Sequence, residues 1–177
     1  LYRHLLKLST SQGLRHFVFF AISSRTLSAS FGTIQSPGGI GLIAGYAFIP
    51  SFALEIGYSA TSHKWNSGGQ SGTIGLGELS LNGKYSFLTA SELQPFLFAG
   101  IGSFAIGDKS LMLGGTGYNL GIGADYYVSP NVSIGAGLMR KIITYNKILE
   151  SDTPGAVLLK DIKGDTTSIR FDAAYHF

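Results

Sequence analysis

Residues Gly39 to Tyr58 have the sequence GIGLIAGYAFIPSFALEIGY, in which two alternating segments flank a turn around Pro50. Large apolar side chains occupy every second position of each segment. Most positions between them hold small residues, and Glu55 is an acidic exception. Because successive side chains of a strand point to opposite faces, this period of two predicts a β-hairpin with one large apolar face.

The hairpin unit recurs along the chain. A second copy, LSLNGKYSFLTASELQPFLFAGIGSF, runs from Leu79 to Phe104, and a third, YNLGIGADYYVSPNVSIGAGLMRK, runs from Tyr118 to Lys141. One further strand, TTSIRFDAAYHF, spans Thr166 to Phe177. One tyrosine in each of these units recurs with a period of roughly 40 residues. These tyrosines are Tyr46, Tyr85, Tyr126 and Tyr175. A closed antiparallel barrel with an even number of strands needs an eighth strand before Gly39, which we expect within residues 16–34.

The composition favours a membrane environment for this β protein. Hydrophobic residues make up 45% of the 177 residues and charged residues 13%, whereas about 25% of the residues of a soluble domain are charged. A soluble barrel would expose a face rich in Lys, Glu and Thr, but the smaller face here is rich in glycine. We therefore predict an all-β, eight-stranded, antiparallel up-and-down transmembrane β-barrel as a single domain over residues 16–177.

The connections predict a topology with two unlike ends. Three short turns lie around Pro50, at Thr89 to Glu92 and around Pro130, and short turns face the periplasm in such barrels. The other connections are predicted to be exterior loops: Gln35 to Gly38 (short), Ala60 to Thr73, Gly107 to Gly117 and Asn146 to Asp165.

Several function classes are excluded or disfavoured by composition and motifs. The chain has no cysteine, so it has neither disulfides nor thiolate metal sites. A net charge of +3 without a basic, aromatic-rich stripe argues against nucleic acid as a partner. No phosphate-binding loop or metal-ligand motif occurs, and we expect no cofactor.

At this point the hairpins resemble a known family. The segments GYAFIPSFALEIGY, GKYSFLTASELQPFLFAGIG and GADYYVSPNVSIGAG are similar to the turn-bearing hairpins of the OmpA-like and opacity-type eight-stranded outer-membrane proteins, over about Gly38 to Phe177. The resemblance implies an integral protein of the bacterial outer membrane, with membrane lipid and lipopolysaccharide as its surroundings. It also implies that the outer-membrane assembly machinery recognises the terminal strand through Ile169, Phe171, Tyr175 and Phe177.

Charged residues at the inward positions of the strands are candidates for a site in the lumen. Alternation places five charged residues there: Glu55, Lys84, Asp125, Arg170 and Asp172. Glu78 is a candidate sixth. Because buried charges are tolerable only when paired, we expect a salt-bridge network. In OmpA-like relatives such a network plugs or gates the interior. The arginine that those relatives carry in the seventh strand has no counterpart at the inward positions Ser133, Gly135 and Gly137, so we favour a static plug over gating.

The N-terminus allows two interpretations. Residues 1–23 form either an export signal, with the apolar stretch Phe17 to Ile22 and a cleavage site near Ser23, or an N-terminal extension of the barrel. In the second interpretation, Phe17 to Ser28 is the first strand.

Three functions are compatible with this barrel. We favour a non-enzymatic structural or surface-interaction role, such as adhesion, in which exterior loops contact a host ligand or lipopolysaccharide. The alternative is a narrow channel for small or apolar solutes, as in the OmpW-like proteins. A lipid A-modifying enzyme using His63 is the least favoured, because no serine or aspartate at family-like spacing accompanies this histidine.

Overall fold

A computed structural model describes residues 15–28, 33–67, 70–108, 111–151 and 161–177. Eight antiparallel strands form one closed barrel in sequential order, and β1 pairs with both β2 and β8. The strands are β1 (Arg15–Ser28), β2 (Thr33–Ile49), β3 (Phe52–Ser67), β4 (Gln70–Ser86), β5 (Leu93–Gly107), β6 (Leu111–Ser129), β7 (Val132–Ser151) and β8 (Ile162–His176). The predicted eight-stranded up-and-down barrel is confirmed.

Alternation along the strands determines which side chains face outward. On β8, each second residue is exposed and the residues between are buried, from Thr166 to Phe177. The large apolar residues lie on the exposed face, as predicted. Members of this outward band include Leu42, Leu54, Ile56, Leu81, Leu120, Ile122, Ile134, Ile169 and Phe171. Within the described ranges, no α-helix has the length and apolar character that a membrane span requires.

Three short turns close one end of the barrel, at the predicted places. Two residues join β2 to β3 at Pro50 and Ser51, and two join β6 to β7 at Pro130 and Asn131. Proline fits here because a turn residue need not donate to the sheet ladder. The third turn, residues 87–92, joins β4 to β5. We call this the short-turn end of the barrel.

Three of the four opposite connections are shorter than predicted because the strands are longer, and the first lies earlier in the sequence than predicted. The predicted loop Ala60 to Thr73 is mostly strand, with only residues 68–69 between β3 and β4. The predicted loop Gln35 to Gly38 lies within β2, at an irregularity in the pairing with β3. Alternation becomes weaker above the lipid-facing band, since an outward side chain in water need not be apolar. The pattern therefore marks only the part of each strand that contacts lipid.

The first strand coincides with the apolar segment near the N-terminus. β1 contains Phe17 to Ile22, and its register runs from Arg15 opposite Ala47 to Ser24 opposite Gly38. Cleavage near Ser23 would therefore divide the strand that closes the barrel between β2 and β8. Residues 1–14 lie outside the described residues.

Candidate functional site: the barrel interior

Five inward charged residues were predicted from the sequence, and the structure places each of them in the interior with its side chain buried. Lys84 on β4 donates a hydrogen bond from Nζ to Asp125 Oδ2 on β6, at 2.6 Å. The same Nζ lies 3.7 Å from Oε1 of Glu55 on β3. One lysine thus joins carboxylates from two other strands. We call Glu55, Lys84 and Asp125 the Lys84 cluster.

Arg170 and Asp172 form a separate pair on β8. Arg170 Nε lies 3.4 Å from Asp172 Oδ1, within the range of an ion pair, and the two atoms do not form a hydrogen bond. The guanidinium also lies over aromatic faces, 5.3 Å from the ring centroid of Phe98 and 5.8 Å from that of Phe96. Cation–π attraction of this kind contributes up to ~2 kcal/mol where water is excluded. Aromatic rings therefore provide part of the compensation for this buried charge.

A glycine lies between two of the inward acidic residues. Gly135 on β7 pairs with Asp125 on one side and with Asp172 on the other. A Cβ at position 135 would lie 2.6 Å from Asp125 Oδ1 and 2.9 Å from Asp172 Oδ1. The missing side chain thus provides the space into which both carboxylates lean, and it brings the Lys84 cluster up to the Arg170–Asp172 pair.

A second ion pair crosses the interior and was missed by the sequence interpretation. Lys141 Nζ on β7 contacts Glu78 Oε2 on β4, and the lysine is 0% exposed. The sequence interpretation considered only Ser133, Gly135 and Gly137 as inward positions of the seventh strand. That interpretation stopped at Gly137, whereas the strand continues to Ser151 with the same parity. Extending the alternation by two more inward positions would have found Lys141.

Uncharged polar side chains complete this second group. Ser59 donates to Glu78 Oε2 at 3.0 Å, and Asn119 donates to Glu78 Oε1 at 3.4 Å and to Asn82 Oδ1 at 3.2 Å. The group draws on four strands, from β3 to β7. We call Ser59, Glu78, Asn82, Asn119 and Lys141 the Lys141 cluster.

Aromatic side chains fill the space around the charges. Phe96, Phe98 and Met139 form one buried cluster, and Lys84 Nζ lies 4.2 Å from the ring centroid of Phe96. The rings fit because β6 offers glycines opposite them: a Cβ at Gly121 would lie 2.3 Å from Phe98 Cζ. On β5, the inward face thus includes large aromatic side chains. There, phenylalanine alternates with smaller lipid-facing residues.

An apolar group lies at the other side of the Lys141 cluster. Phe104, Ile143 and Tyr145 pack together and are buried, with Ile106 and Leu113 against them. Lys141 Nζ lies 5.7 Å from the ring centroid of Phe104. The polar groups of the interior are therefore covered by apolar side chains on the side away from the short turns.

The short-turn end is closed by side chains of the last three strands. His176 Nε2 lies 2.8 Å from Ser133 Oγ, and both side chains are buried. The imidazole also packs on the ring of Tyr127, with centroids 4.9 Å apart. Asn131 Nδ2 donates to the carbonyl oxygen of His176 at 2.7 Å. These contacts bind the end of β8 to the β6–β7 turn.

The chemistry available in this interior is that of charge pairing and packing. Within the described part of the chain, no three His, Asp or Glu side chains are grouped so that they could hold a metal ion. The side chain of His63, the candidate catalytic residue, lies outside the described part of the chain.

Comparison with known proteins gives the context for this geometry. The family model of the outer membrane protein beta-barrel domain matches residues 19–177. No curated protein matches the sequence. Among solved structures, Neisserial surface protein A (NspA) is 20% identical with a TM-score of 0.69, and the match covers 92% of this chain and 97% of NspA.

Two further structures have the same architecture. OprG from Pseudomonas aeruginosa is 16% identical with a TM-score of 0.61, covering 93% of this chain and 96% of OprG. Outer Membrane Protein W from E. coli is 15% identical with a TM-score of 0.57, covering 94% of this chain and 100% of that protein. At these identities the likeness is one of fold.

Proposed function

The chain belongs to the outer membrane protein beta-barrel domain family and is an integral protein of the bacterial outer membrane, and from this premise we propose that it is a closed, non-enzymatic barrel. Its role is structural or one of surface interaction, exerted through the connections opposite the short turns. Lipid and lipopolysaccharide surround it. A host ligand is the partner that we propose for the exterior connections.

The main support for this proposal is that buried side chains fill the interior of the barrel. Buried side chains follow one another from His176 and Ser133 at the short-turn end to Phe104 and Ile143 beyond the Lys141 cluster. An eight-stranded barrel has an interior that side chains just fill. A barrel whose interior is filled by its own side chains acts on its surroundings through its outer surface.

The alternative, a narrow solute channel, would require these contacts to open. The Lys141–Glu78 pair crosses from β7 to β4, and the Lys84–Asp125 pair crosses from β4 to β6. Separating a buried pair leaves two uncompensated charges, at a cost of about 3–5 kcal/mol. That cost makes the conducting state rare in the absence of a ligand that stabilises it.

Single-channel recording in planar bilayers tests the closed interior. We expect the refolded wild-type protein to give no reproducible conductance steps. A double variant, Glu78→Ser with Lys141→Ser, is the matched control, because it removes the crossing pair and leaves two small polar side chains. Regular conductance steps of the wild-type protein would contradict the proposal and favour the channel.

We also propose that the end of β8 carries the signal for the assembly machinery. Ile169, Phe171, Tyr175 and Phe177 lie on the lipid-facing side, and the rings of Tyr175 and Phe177 make an edge-to-face contact at 4.9 Å. Such an exposed apolar strand end is accessible to a partner before the barrel closes.

Replacement of Phe177 by serine should therefore abolish most outer-membrane assembly in cells, while refolding in detergent proceeds. Assembly is measured by the electrophoretic mobility shift that folded barrels show before and after boiling. Val128→Ser is the control, since Val128 is similarly exposed on another strand at the same end. Normal assembly of the Phe177→Ser protein would argue against the signal.

A further inference from the structure

The β4–β5 turn, residues 87–92, combines exposed apolar side chains with an unfavourable backbone conformation. Leu88 is 68% exposed, and Phe87 before it is also exposed. The turn residues Phe87 to Ser91 carry no charge. Burial of apolar surface contributes roughly 25 cal/mol per Å² to stability. Side chains exposed to water at this turn do not gain this contribution.

Leu88 has a φ of 53° and is the one non-glycine residue with positive φ among the described residues. The left-handed region is sterically unfavourable for an ordinary L-residue, whereas glycine or asparagine adopts it more readily. Leucine is thus unfavourable at this position for two reasons. Its backbone adopts a left-handed conformation, and its apolar side chain would be exposed to water. These two unfavourable features at one residue indicate that the Leu88 side chain lies in an apolar environment.

The turn is held firmly in this conformation. Phe87 N donates to Pro95 O at 2.7 Å, and Ser91 N donates to Leu88 O at 2.8 Å. Gln94 Nε2 donates to the carbonyl oxygens of Thr89 and Ser91, both at 3.1 Å. These hydrogen bonds fix the conformation of the turn, and with it the outward position of the Leu88 side chain.

The apolar residues of the turn continue the lipid-facing surface of the barrel. The ring of Phe87 makes an edge-to-face contact with Tyr85 on β4, with centroids 5.0 Å apart. Exposed apolar side chains also precede the other two turns at this end, at Phe48, Ile49 and Val128. Among the three turns, residues 87–92 form the longest, and here the exposed apolar residues lie in the turn itself, not at the end of the preceding strand.

We propose that Phe87 and Leu88 insert into the lipid leaflet at the short-turn end and fix the depth of the barrel in the membrane. The occupant of this surface is the boundary between acyl chains and headgroups. Transfer of a leucine side chain into the membrane is favourable, whereas transfer of a charged side chain is unfavourable. Anchors at membrane interfaces set the position and tilt of spanning elements, and this turn anchors the β4–β5 side.

Tryptophan fluorescence in lipid vesicles tests the proposal. The natural Trp65 is first replaced by phenylalanine, and tryptophan is then introduced as Leu88→Trp or, as the matched control, Ser91→Trp. Both proteins are refolded in phosphatidylcholine vesicles with lipids brominated near the glycerol end of the acyl chain. We expect bromine to reduce the Leu88→Trp emission about twofold, and aqueous iodide to quench mainly the Ser91→Trp protein.

Equal quenching of the two proteins by iodide, with no effect of brominated lipid at position 88, would overturn the proposal. Shielding of position 88 from both quenchers would also overturn it, since that result indicates a second protein copy. If the Leu88→Trp protein does not fold, Leu88→Cys with a spin label replaces it, because the chain has no other cysteine. Collision with oxygen should then exceed collision with a water-soluble nickel chelate, and the reverse order would refute the insertion.

Discussion

Replacing Lys141 by methionine is expected to lower the free energy of unfolding by about 3–5 kcal/mol. The lysine is fully buried, and its Nζ contacts Glu78 Oε2. Its removal leaves the Glu78 carboxylate inside the barrel without its cationic partner, while Ser59 and Asn119 still donate hydrogen bonds to it. Urea unfolding in lipid vesicles, followed by the mobility shift on boiling, measures the loss.

The neighbouring residue offers a matched control. Arg140 pairs with Asp165 at 2.8 Å, but the side chains of this pair are 62% and 49% exposed. Exposed pairs contribute about 0–1 kcal/mol, so Arg140→Met should have little effect. The double variant Lys141→Met with Glu78→Met should lose less than the two single variants together, because it leaves no unpaired charge. Equal small losses for Lys141→Met and Arg140→Met would contradict the burial of the pair.

Alanine at Gly123 is expected to destabilise the barrel by about 1–3 kcal/mol through overpacking. A Cβ there would lie 2.4 Å from the carbonyl oxygen of Ala136 and 2.5 Å from Phe96 Cζ. The phenylalanine ring can shift, but the backbone of β7 cannot move without disturbing the sheet. The same unfolding assay in vesicles measures this loss.

Gly77→Ala provides the comparison, since a Cβ at position 77 meets no atom within 4 Å. A change within about ±0.5 kcal/mol is expected there, as for substitutions that meet no other feature. If Gly123→Ala and Gly77→Ala unfold at the same urea concentration, the close contact between Phe96 and β6 is not a constraint on the fold.

Periodicity predicts the outward half of this protein better than the inward half. Lipid imposes one requirement on Leu42, Ile56 or Phe171, namely apolar character, so these positions follow a regular pattern. The inward face has no single requirement, because each side chain there must fit those facing it across the lumen. Phe96 and Phe98 point inward because Gly121 and Gly123 lie beside them, and that match is visible only once the strands are in register.

The candidate site shows the same division. Glu55, Lys84 and Asp125 were found because each lies in a strongly alternating segment next to a short turn. Lys141 was missed because the inward positions of this strand were followed only to Gly137, although β7 continues to Ser151. The contact of Lys141 with Glu78 joins positions 63 residues apart in the sequence. Their spacing along the chain does not predict this contact.

Thiol accessibility at the centre of the barrel tests the sealed interior most directly. Ser80 is buried beside Asn82, which donates to its Oγ at 3.3 Å, and the chain has no cysteine of its own. If the interior is closed, Ser80→Cys stays unlabelled by a charged, membrane-impermeant thiol reagent in folded protein and is labelled after unfolding in urea. The exposed control Ser62→Cys should react at once. Labelling of folded Ser80→Cys at a rate close to that of the control would show an open interior and contradict the account.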